Sequence, residues 1–126
     1  MIPKYRAWDK DQKCWIKIAA LNFDEDGEMW YLAPAMNGFN PVYYENELGQ
    51  TWELMQSTGL KDKNGTEIFL GDIITIIDDG EEDTGFGWNE EVIFHNGAFM
   101  AGDDNLLVNV NFRSVVVNSI HEIKIQ

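Results

Sequence analysis

The chain has 126 residues, a formal net charge of −13 and an isoelectric point near 4.3. Such an acidic surface repels nucleic-acid phosphate, so we expect no direct binding of DNA or RNA. No apolar run approaches the roughly 18 residues that a membrane span needs, and the first residues lack an apolar stretch of the signal-peptide kind. The one cysteine, Cys14, permits no internal disulfide. This is typical of a reducing, cytoplasmic location.

Short strand patterns separated by polar turns fill the first half of the chain. Strands are predicted at 2–8, 14–18 and 29–32, with turns at 9–13 and 24–27. Turns at intervals of about ten residues are typical of an antiparallel meander. The segment 34–41 contains two prolines and a glycine and is the best candidate for a boundary. The polar segment 43–50 is ambiguous and could contain a helical turn that ends at Gly49.

A strand at 52–56 leads into the stretch around which the chain is organised, residues 55–77. Asn64-Gly65 predicts a type I′ hairpin turn, because both central residues of that turn need positive φ. A second strand follows at 67–70, then a corner at Gly71-Asp72. The apolar run 73–77 predicts a central strand buried on both faces, with at least three of its side chains buried. Asp72 has a short side chain that can accept hydrogen bonds from backbone amides at the strand entry.

The acidic loop, residues 78–83, follows this strand. It offers oxygen ligands for a hard cation from Asp78, Asp79, Glu81, Glu82 and Asp83. The offsets of a calcium-binding EF-hand loop are absent here, and the partial matches that begin at Asp24 and Asp62 fit hairpin turns better. We therefore predict that the acidic loop is a solvated surface, with weak cation binding as the alternative.

The last third of the chain again predicts short antiparallel strands. They lie at 88–95 and 98–101 on either side of an Asn96-Gly97 turn, then at 108–113, 114–119 and 120–125. Segment 108–113 alternates apolar and polar residues, which indicates a half-buried strand. The last two strands are expected to close a small barrel.

No residue pattern points to a catalytic centre, a cofactor or a metal. The two histidines, His95 and His121, lack further Cys or His partners at ligand spacing. No serine lies in a Gly-x-Ser-x-Gly elbow. Residues 85–88 superficially resemble a phosphate-binding loop, but they precede a strand and have no Lys or Arg nearby. Carboxylates are so abundant in this chain that a pair of them does not indicate an active site.

Arg6 and Trp8 lie together near the start of the chain. An Arg beside an aromatic ring can recognise a carboxylate or an extended peptide. The favoured interpretation is structural, with Trp8 packed in the core and Arg6 paired with one of the many carboxylates.

Four stretches carry a resemblance to a known family: 5–10 (YRAWDK), 57–74 (STGLKDKNGTEIFLGDII), 92–99 (VIFHNGAF) and 116–122 (VVNSIHE). Together they resemble the YopX family, small proteins encoded mostly by bacteriophages and prophages. The resemblance implies a mostly β protein with an SH3-like small barrel in its C-terminal half. It implies no activity, because none is established for the family. The family usually has Gly before the Asn of the last stretch, where this chain has Val117, and the final residues 123–126 also differ.

These observations predict a mainly β protein, with an N-terminal antiparallel β extension (1–56) on an SH3-like small β-barrel (57–126). The predicted function is that of a non-enzymatic phage or prophage accessory protein in the host cytoplasm, acting through protein contacts. One form of this function is an acidic decoy for host nucleic-acid-binding proteins. The candidate interaction residues of the protein as a whole are Arg6, Trp8 and the five carboxylates of the acidic loop. The alternative is a small metal-dependent or hydrolytic enzyme. A homo-oligomer is also expected, because the segment 108–113 and the apolar C-terminal strand would offer exposed strand edges.

Overall fold

The structure, a computed structural model, describes residues 4–35, 44–45, 51–77 and 87–120. In that part of the chain the regular elements are antiparallel β-strands and two short 3₁₀ helices, with no α-helix. The prediction of a mainly β protein is confirmed. The chain divides into two compact units, one formed by Tyr5–Met55 and the other by Met1–Lys4 with Gln56–Gln126.

The N-terminal unit is built of short antiparallel strands. They are β1 (Tyr5–Asp9), β2 (Cys14–Ile16), β3 (Ile18–Phe23), β4 (Met29–Pro34), β5 (Tyr44–Glu45) and the first part of β6 (Trp52–Lys61). β1 pairs with β2, and β4 pairs with both β3 and β5. Its core contains Ala7, Ile16, Leu32 and Trp52. The single strand predicted at 14–18 is wrong, because Lys17 separates β2 from β3.

The C-terminal unit contains the rest of β6 and the strands that follow. They are β7 (Glu67–Phe69), β8 (Asp72–Ile77), β9 (Gly87–His95), β10 (Ala98–Ala101), β11 (Asn105–Leu106) and β12 (Ser114–Ser119). Five of them form one sheet in the order β11-β10-β9-β8-β12, while β6 pairs with β7. This sheet and the β6–β7 hairpin enclose one apolar core, so the unit is barrel-like. The core consists of Ile68, Ile74, Ile76, Val92, Ala101, Leu107 and Val110. The SH3-like form of the barrel stays a prediction.

β8 is an inner strand, as predicted, because it lies between β9 and β12. Its burial alternates along the strand: Ile74 and Ile76 are fully buried, whereas Ile73 and Ile77 are half-buried. The prediction that both faces are buried, with at least three buried apolar side chains, is therefore wrong. The one polar residue of this run, Thr75, lies on the less buried face with Ile73 and Ile77. A single threonine among four isoleucines was not recognised as the mark of that face.

The turn at Asn64-Gly65 joins antiparallel β6 and β7, as predicted, but it is not of type I′. Gly65 has a φ of 85°, while Asn64 is not among the residues with positive φ. The Gly65 amide donates to the Asp62 carbonyl and the Asp62 amide donates to the Thr66 carbonyl. This pattern is a type I turn followed by a left-handed glycine in a bulge. Asp24–Glu28 repeats the same pattern, with Gly27 at a φ of 83°.

The predicted strand at 108–113 is also wrong. The segment forms two 3₁₀ helices, Leu107–Asn109 and Asn111–Arg113. Leu107 and Val110 both pack in the core. Their spacing of three residues is the period of a 3₁₀ helix. The alternation of Val108, Val110 and Phe112 was misleading, because Val108 and Phe112 are exposed. The predicted strand edge here, one of two arguments for a homo-oligomer, is therefore absent.

Several other expectations fall on residues that lie outside the described part. They are the boundary segment after Ala35, the helical turn before Gly49, and the last predicted strand beyond Ile120. Ile120 itself lies in a turn, and its amide donates to the carbonyl of Gly71 at 2.7 Å.

Candidate interaction surface around the acidic loop

The acidic loop (78–83) lies outside the described residues, and so do its five carboxylates. The strands on either side are described. β8 ends at Ile77, β9 begins at Gly87, and these two residues are partners in an antiparallel ladder that extends to the pair Ile73 and Glu91. The paired ends of β8 and β9 therefore define where the chain leaves the sheet before the acidic loop and where it returns after it.

Arg113 lies at the base of this hairpin. The carbon of its guanidinium group is 5.8 Å from the centroid of the Trp88 ring, and its Nη1 donates a long hydrogen bond of 3.4 Å to the Ile77 carbonyl. A guanidinium over the face of a tryptophan is attracted by the negative face of the ring. Arg113, the one arginine in 57–126, thus contacts both strands next to the acidic segment.

Gly87 allows the two strands to approach closely at this base. A Cβ atom at this position would lie 2.8 Å from Cγ2 of Thr75 and 3.0 Å from the carbonyl oxygen of Ile76. Glycine is required there for space. Residues 85–88, which superficially resemble a phosphate-binding loop, are in part a strand, because β9 begins at Gly87.

β9 combines exposed aromatic rings with carboxylates. Trp88 is 40% exposed and Phe94 is 59% exposed, and Glu90 and Glu91 lie half-buried between them. The Phe94 ring packs edge-on against Phe99, with ring centroids 5.4 Å apart. Exposed aromatic side chains are common anchors in protein interfaces. β9, the strand that follows the acidic loop, therefore carries both carboxylates and exposed aromatic rings.

The Arg6 and Trp8 pair belongs to the N-terminal unit. Trp8 is buried, at 8% exposure, as predicted. It is the direct partner of Trp15 across β1 and β2, and the two rings meet edge-on at 4.8 Å. The guanidinium carbon of Arg6 lies 4.4 Å from the centroid of the Trp15 ring. This packing supports the structural interpretation for Trp8, whereas recognition of a carboxylate or peptide by Arg6 stays a prediction.

Two acidic residues of the C-terminal unit are internal and do not belong to the negative surface. Asp72 is 1% exposed, and its Oδ2 accepts a hydrogen bond from the Phe69 amide at 2.8 Å. The interpretation of Asp72 as a residue that binds backbone amides at the strand entry is confirmed. Asp62 is 5% exposed and acts in the same manner at the hairpin turn.

The Asp62 carboxylate connects the β6–β7 hairpin to β12. Its Oδ1 accepts from the amides of Asn64 and Thr66, and its Oδ2 accepts from the amide of Val116, each at 2.9 Å. Burial alone raises the pKa of this carboxyl. Backbone amides outweigh that effect and hold the pKa below the ordinary aspartate value; they belong to Val116, Thr66, Asn64 and Gly65.

Several of the candidate catalytic and metal-binding residues lie in the described ranges. There, no group of three or more His, Cys, Asp or Glu side chains is placed to hold a metal ion. His95 and Cys14 are exposed, and His121 lies beyond the described residues. The hydroxyl of Ser114 donates to the Val110 carbonyl, and that of Ser57 accepts from the Gly59 amide. No helix in the described part is long and apolar enough to cross a membrane.

Three residues at this surface were not predicted from the sequence: Trp88, Phe94 and Arg113. Trp88 could have been found, because it lies at the start of the strand that follows the acidic loop. Arg113 could have been noticed as the one arginine of the C-terminal half. Its position over Trp88 depends on the 3₁₀ helix that contains it, and the sequence pattern indicated a strand there.

The fold and this surface define a small, mainly β protein with antiparallel sheets and an acidic, aromatic surface on one hairpin. The family model for YopX protein matches residues 4–122. The chain belongs to the YopX family, and the resemblance found in the sequence is confirmed.

Two solved structures are similar to the chain over nearly its whole length. A crystal structure of protein EF1440 from Enterococcus faecalis has a TM-score of 0.67 at 29% identity, covering 97% of this chain and 95% of that one. The X-ray structure of protein yopX from Bacillus subtilis has a TM-score of 0.62 at 18% identity, covering 94% and 93%. The second likeness shows the fold alone. No curated protein matches the chain.

Proposed function

We propose that this YopX-family protein is a non-enzymatic phage or prophage accessory protein that binds a host protein through its acidic surface. The partner would be a protein with a basic, nucleic-acid-binding surface, which the carboxylates would occupy in place of phosphate. The protein would act in the host cytoplasm and would not bind nucleic acid itself.

The observation that carries this proposal is the distribution of charge. Residues 78–91 contain seven acidic and no basic residues. The one arginine nearby, Arg113, is engaged at the base of the hairpin with Trp88 and the Ile77 carbonyl. Exposed Trp88 and Phe94 supply apolar contact area beside Glu90 and Glu91. Negative groups would direct a basic partner to this surface and aromatic rings would hold it there.

The enzymatic alternative has no comparable support. A metal-dependent enzyme needs a set of ligands, and the described ranges contain no group of three or more His, Cys, Asp or Glu side chains that could hold a metal ion. The homo-oligomer also stays a prediction. β12 is an edge strand with Val117 53% exposed, but the Lys63 amide donates to the Ser114 carbonyl and so already occupies the start of that edge.

A competition experiment tests the proposed function. The tagged full chain is used to capture proteins from host cells, and bound proteins are eluted with duplex DNA and identified by mass spectrometry. We expect DNA to elute nucleic-acid-binding proteins, because both ligands would occupy one basic surface. A variant with all five loop carboxylates replaced by amides should lose this capture.

The matched control replaces five exposed carboxylates elsewhere by amides, so that net charge changes equally. Suitable residues are Asp11, Glu25, Asp26, Glu28 and Asp103. This control should retain capture if the acidic loop is the binding surface. Equal capture by wild type and the loop variant, or captured proteins that DNA does not displace, would contradict the proposal.

A further inference from the structure

Three Asn-Gly pairs occur in the sequence, at 37–38, 64–65 and 96–97. An asparagine before a glycine can lose its side-chain amide without an enzyme, because glycine has no side chain to hinder the reaction. The first pair lies outside the described residues. The other two are both exposed and both lie in hairpin turns. Exposure therefore does not distinguish them, but their hydrogen bonds do.

The reaction starts at the backbone nitrogen of the glycine. This nitrogen attacks Cγ of the asparagine, the new nitrogen–carbon bond closes a succinimide ring, and the side-chain amide leaves as ammonia. Water then opens the ring at one of its two carbonyl groups, which gives aspartate or isoaspartate. The attacking nitrogen must give up its proton and reorient. A turn that holds the glycine N–H in a hydrogen bond therefore slows the reaction.

The turn at Asn64-Gly65 is held in this manner. The Gly65 amide donates to the Asp62 carbonyl at 3.1 Å, and the Asn64 amide donates to Asp62 Oδ1 at 2.9 Å. The same aspartate accepts from Val116 in β12, so the turn is also fixed to the sheet. Gly65 can attack only after this set of bonds opens.

The turn at Asn96-Gly97 lacks such restraints. It is a two-residue connection between His95 and Ala98, and the φ values of Asn96 and Gly97, 51° and 79°, are the two positive values that a type I′ turn requires. Among the residues that the structure describes, none accepts a hydrogen bond from the Gly97 amide. The space around the two glycines is equally open: apart from chain neighbours, no atom of the described residues lies within 4 Å of a Cβ position on Gly97 or on Gly65. The contrast between the turns therefore lies in their hydrogen bonds, and the Gly97 nitrogen is the one that is free to reorient.

From this contrast we propose that Asn96 is a site of spontaneous deamidation and that Asn64 is protected by the hydrogen bonds that the Asp62 carbonyl and carboxylate accept in its turn. Isoaspartate at position 96 would route the main chain through the side chain and lengthen the turn by one atom. The pairs next to it, His95 with Ala98 and Phe94 with Phe99, would then lose their register. Aspartate would add a negative charge beside exposed Phe94.

The test incubates the full native chain in mildly alkaline buffer and follows each Asn-Gly peptide by digestion and mass spectrometry. Isoaspartate is distinguished from aspartate by retention time. We expect Asn96 to react faster than Asn64 by on the order of tenfold, the factor that one or two hydrogen bonds of ordinary strength contribute. In the urea-unfolded chain the two rates should become similar, because the turns are gone.

Asp62→Ala is the informative variant, since it removes the acceptor of the Asn64 amide and loosens the turn. It should raise the rate at Asn64 and leave the rate at Asn96 unchanged. If the variant does not fold, the comparison of native and urea-unfolded wild type still decides. Equal rates in the native chain would overturn the proposal. A rate ratio that survives unfolding would overturn it too, because local sequence rather than structure would then set the rates.

Discussion

Replacing Asp62 by Asn should destabilise the protein far more than its isosteric shape suggests. The carboxylate accepts two amides of its own turn through Oδ1 and the Val116 amide through Oδ2. Asn keeps one oxygen and places an NH₂ group where the other was. If the oxygen stays with the turn, two N–H donors face each other at Val116.

The magnitude follows from the bonds that are lost. A hydrogen bond to a charged acceptor contributes about 1.5–3 kcal/mol, and a buried donor left without a partner costs about 1–3 kcal/mol. Because Asp62 is 5% exposed, water cannot readily replace the carboxylate. We therefore expect Asp62→Asn to lower the free energy of unfolding by about 2–3 kcal/mol. The measurement is urea unfolding followed by circular dichroism, with hydrogen exchange of the Val116 amide.

Asp24→Asn is the matched control. The Asp24 turn has the same backbone bonds, and its Oδ1 likewise accepts from two amides, those of Asp26 and Glu28, at 2.9 Å. Asp24 is exposed, and Asn caps such amides about as well as Asp. The control should cost less than about 1 kcal/mol. If both substitutions cost the same small amount, the bond from Val116 to Asp62 contributes nothing and the reasoning is refuted.

Four further predictions concern pH, two packing sites and nucleic acid. Because the folded state lowers the pKa of Asp62, this carboxylate stabilises the protein above its unfolded-state pKa of about 4. That stabilisation is lost as the pH falls through the lower folded-state pKa. Urea unfolding in this acid range should therefore show a smaller loss of unfolding free energy for Asp62→Asn than for wild type. Trp8→Ala should destabilise by about 3–5 kcal/mol, while Trp88→Ala, at a 40% exposed position, should cost much less in the same unfolding assay. Gly87→Ala should cost about 1–3 kcal/mol through overpacking against β8, and an unchanged unfolding midpoint would exclude the close approach. The protein should give no mobility shift with duplex DNA at about 0.15 M salt, and a shift would remove the argument from net charge.

The two described Asn-Gly turns show which part of a hairpin can be predicted from a dipeptide. Both turns join antiparallel strands, so the prediction of a hairpin at each dipeptide is confirmed. The turn types differ because Asp62 stands two residues before Asn64 and binds the amides of the turn, which stabilises a type I turn with a bulge. At Asn96 the corresponding residue is Phe94, which offers no acceptor, and the type I′ turn forms.

The predictions for β8 and for 108–113 failed because one residue pattern fits more than one structure. A run of four isoleucines around one threonine fits an inner strand with one or with two buried faces, and the neighbouring elements decide between them. The segment after Leu106 contains apolar residues at spacings of both two and three. The spacing of three is the one used, because Leu107 and Val110 fill the core. Long-range packing of this kind is not visible in a local period.

The acidity of the C-terminal unit is separable from its fold. The buried carboxylates Asp62 and Asp72 each accept backbone amides and stabilise the unit. The acidic loop connects two strands whose ladder and buried isoleucines do not depend on charge. Concentrated like charges weaken a compact state by mutual repulsion, so removing them should preserve or raise stability. A loop variant that folds well but no longer binds its partner would show that the loop carboxylates serve binding and not folding. If their role were purely structural, the variant would instead lose stability.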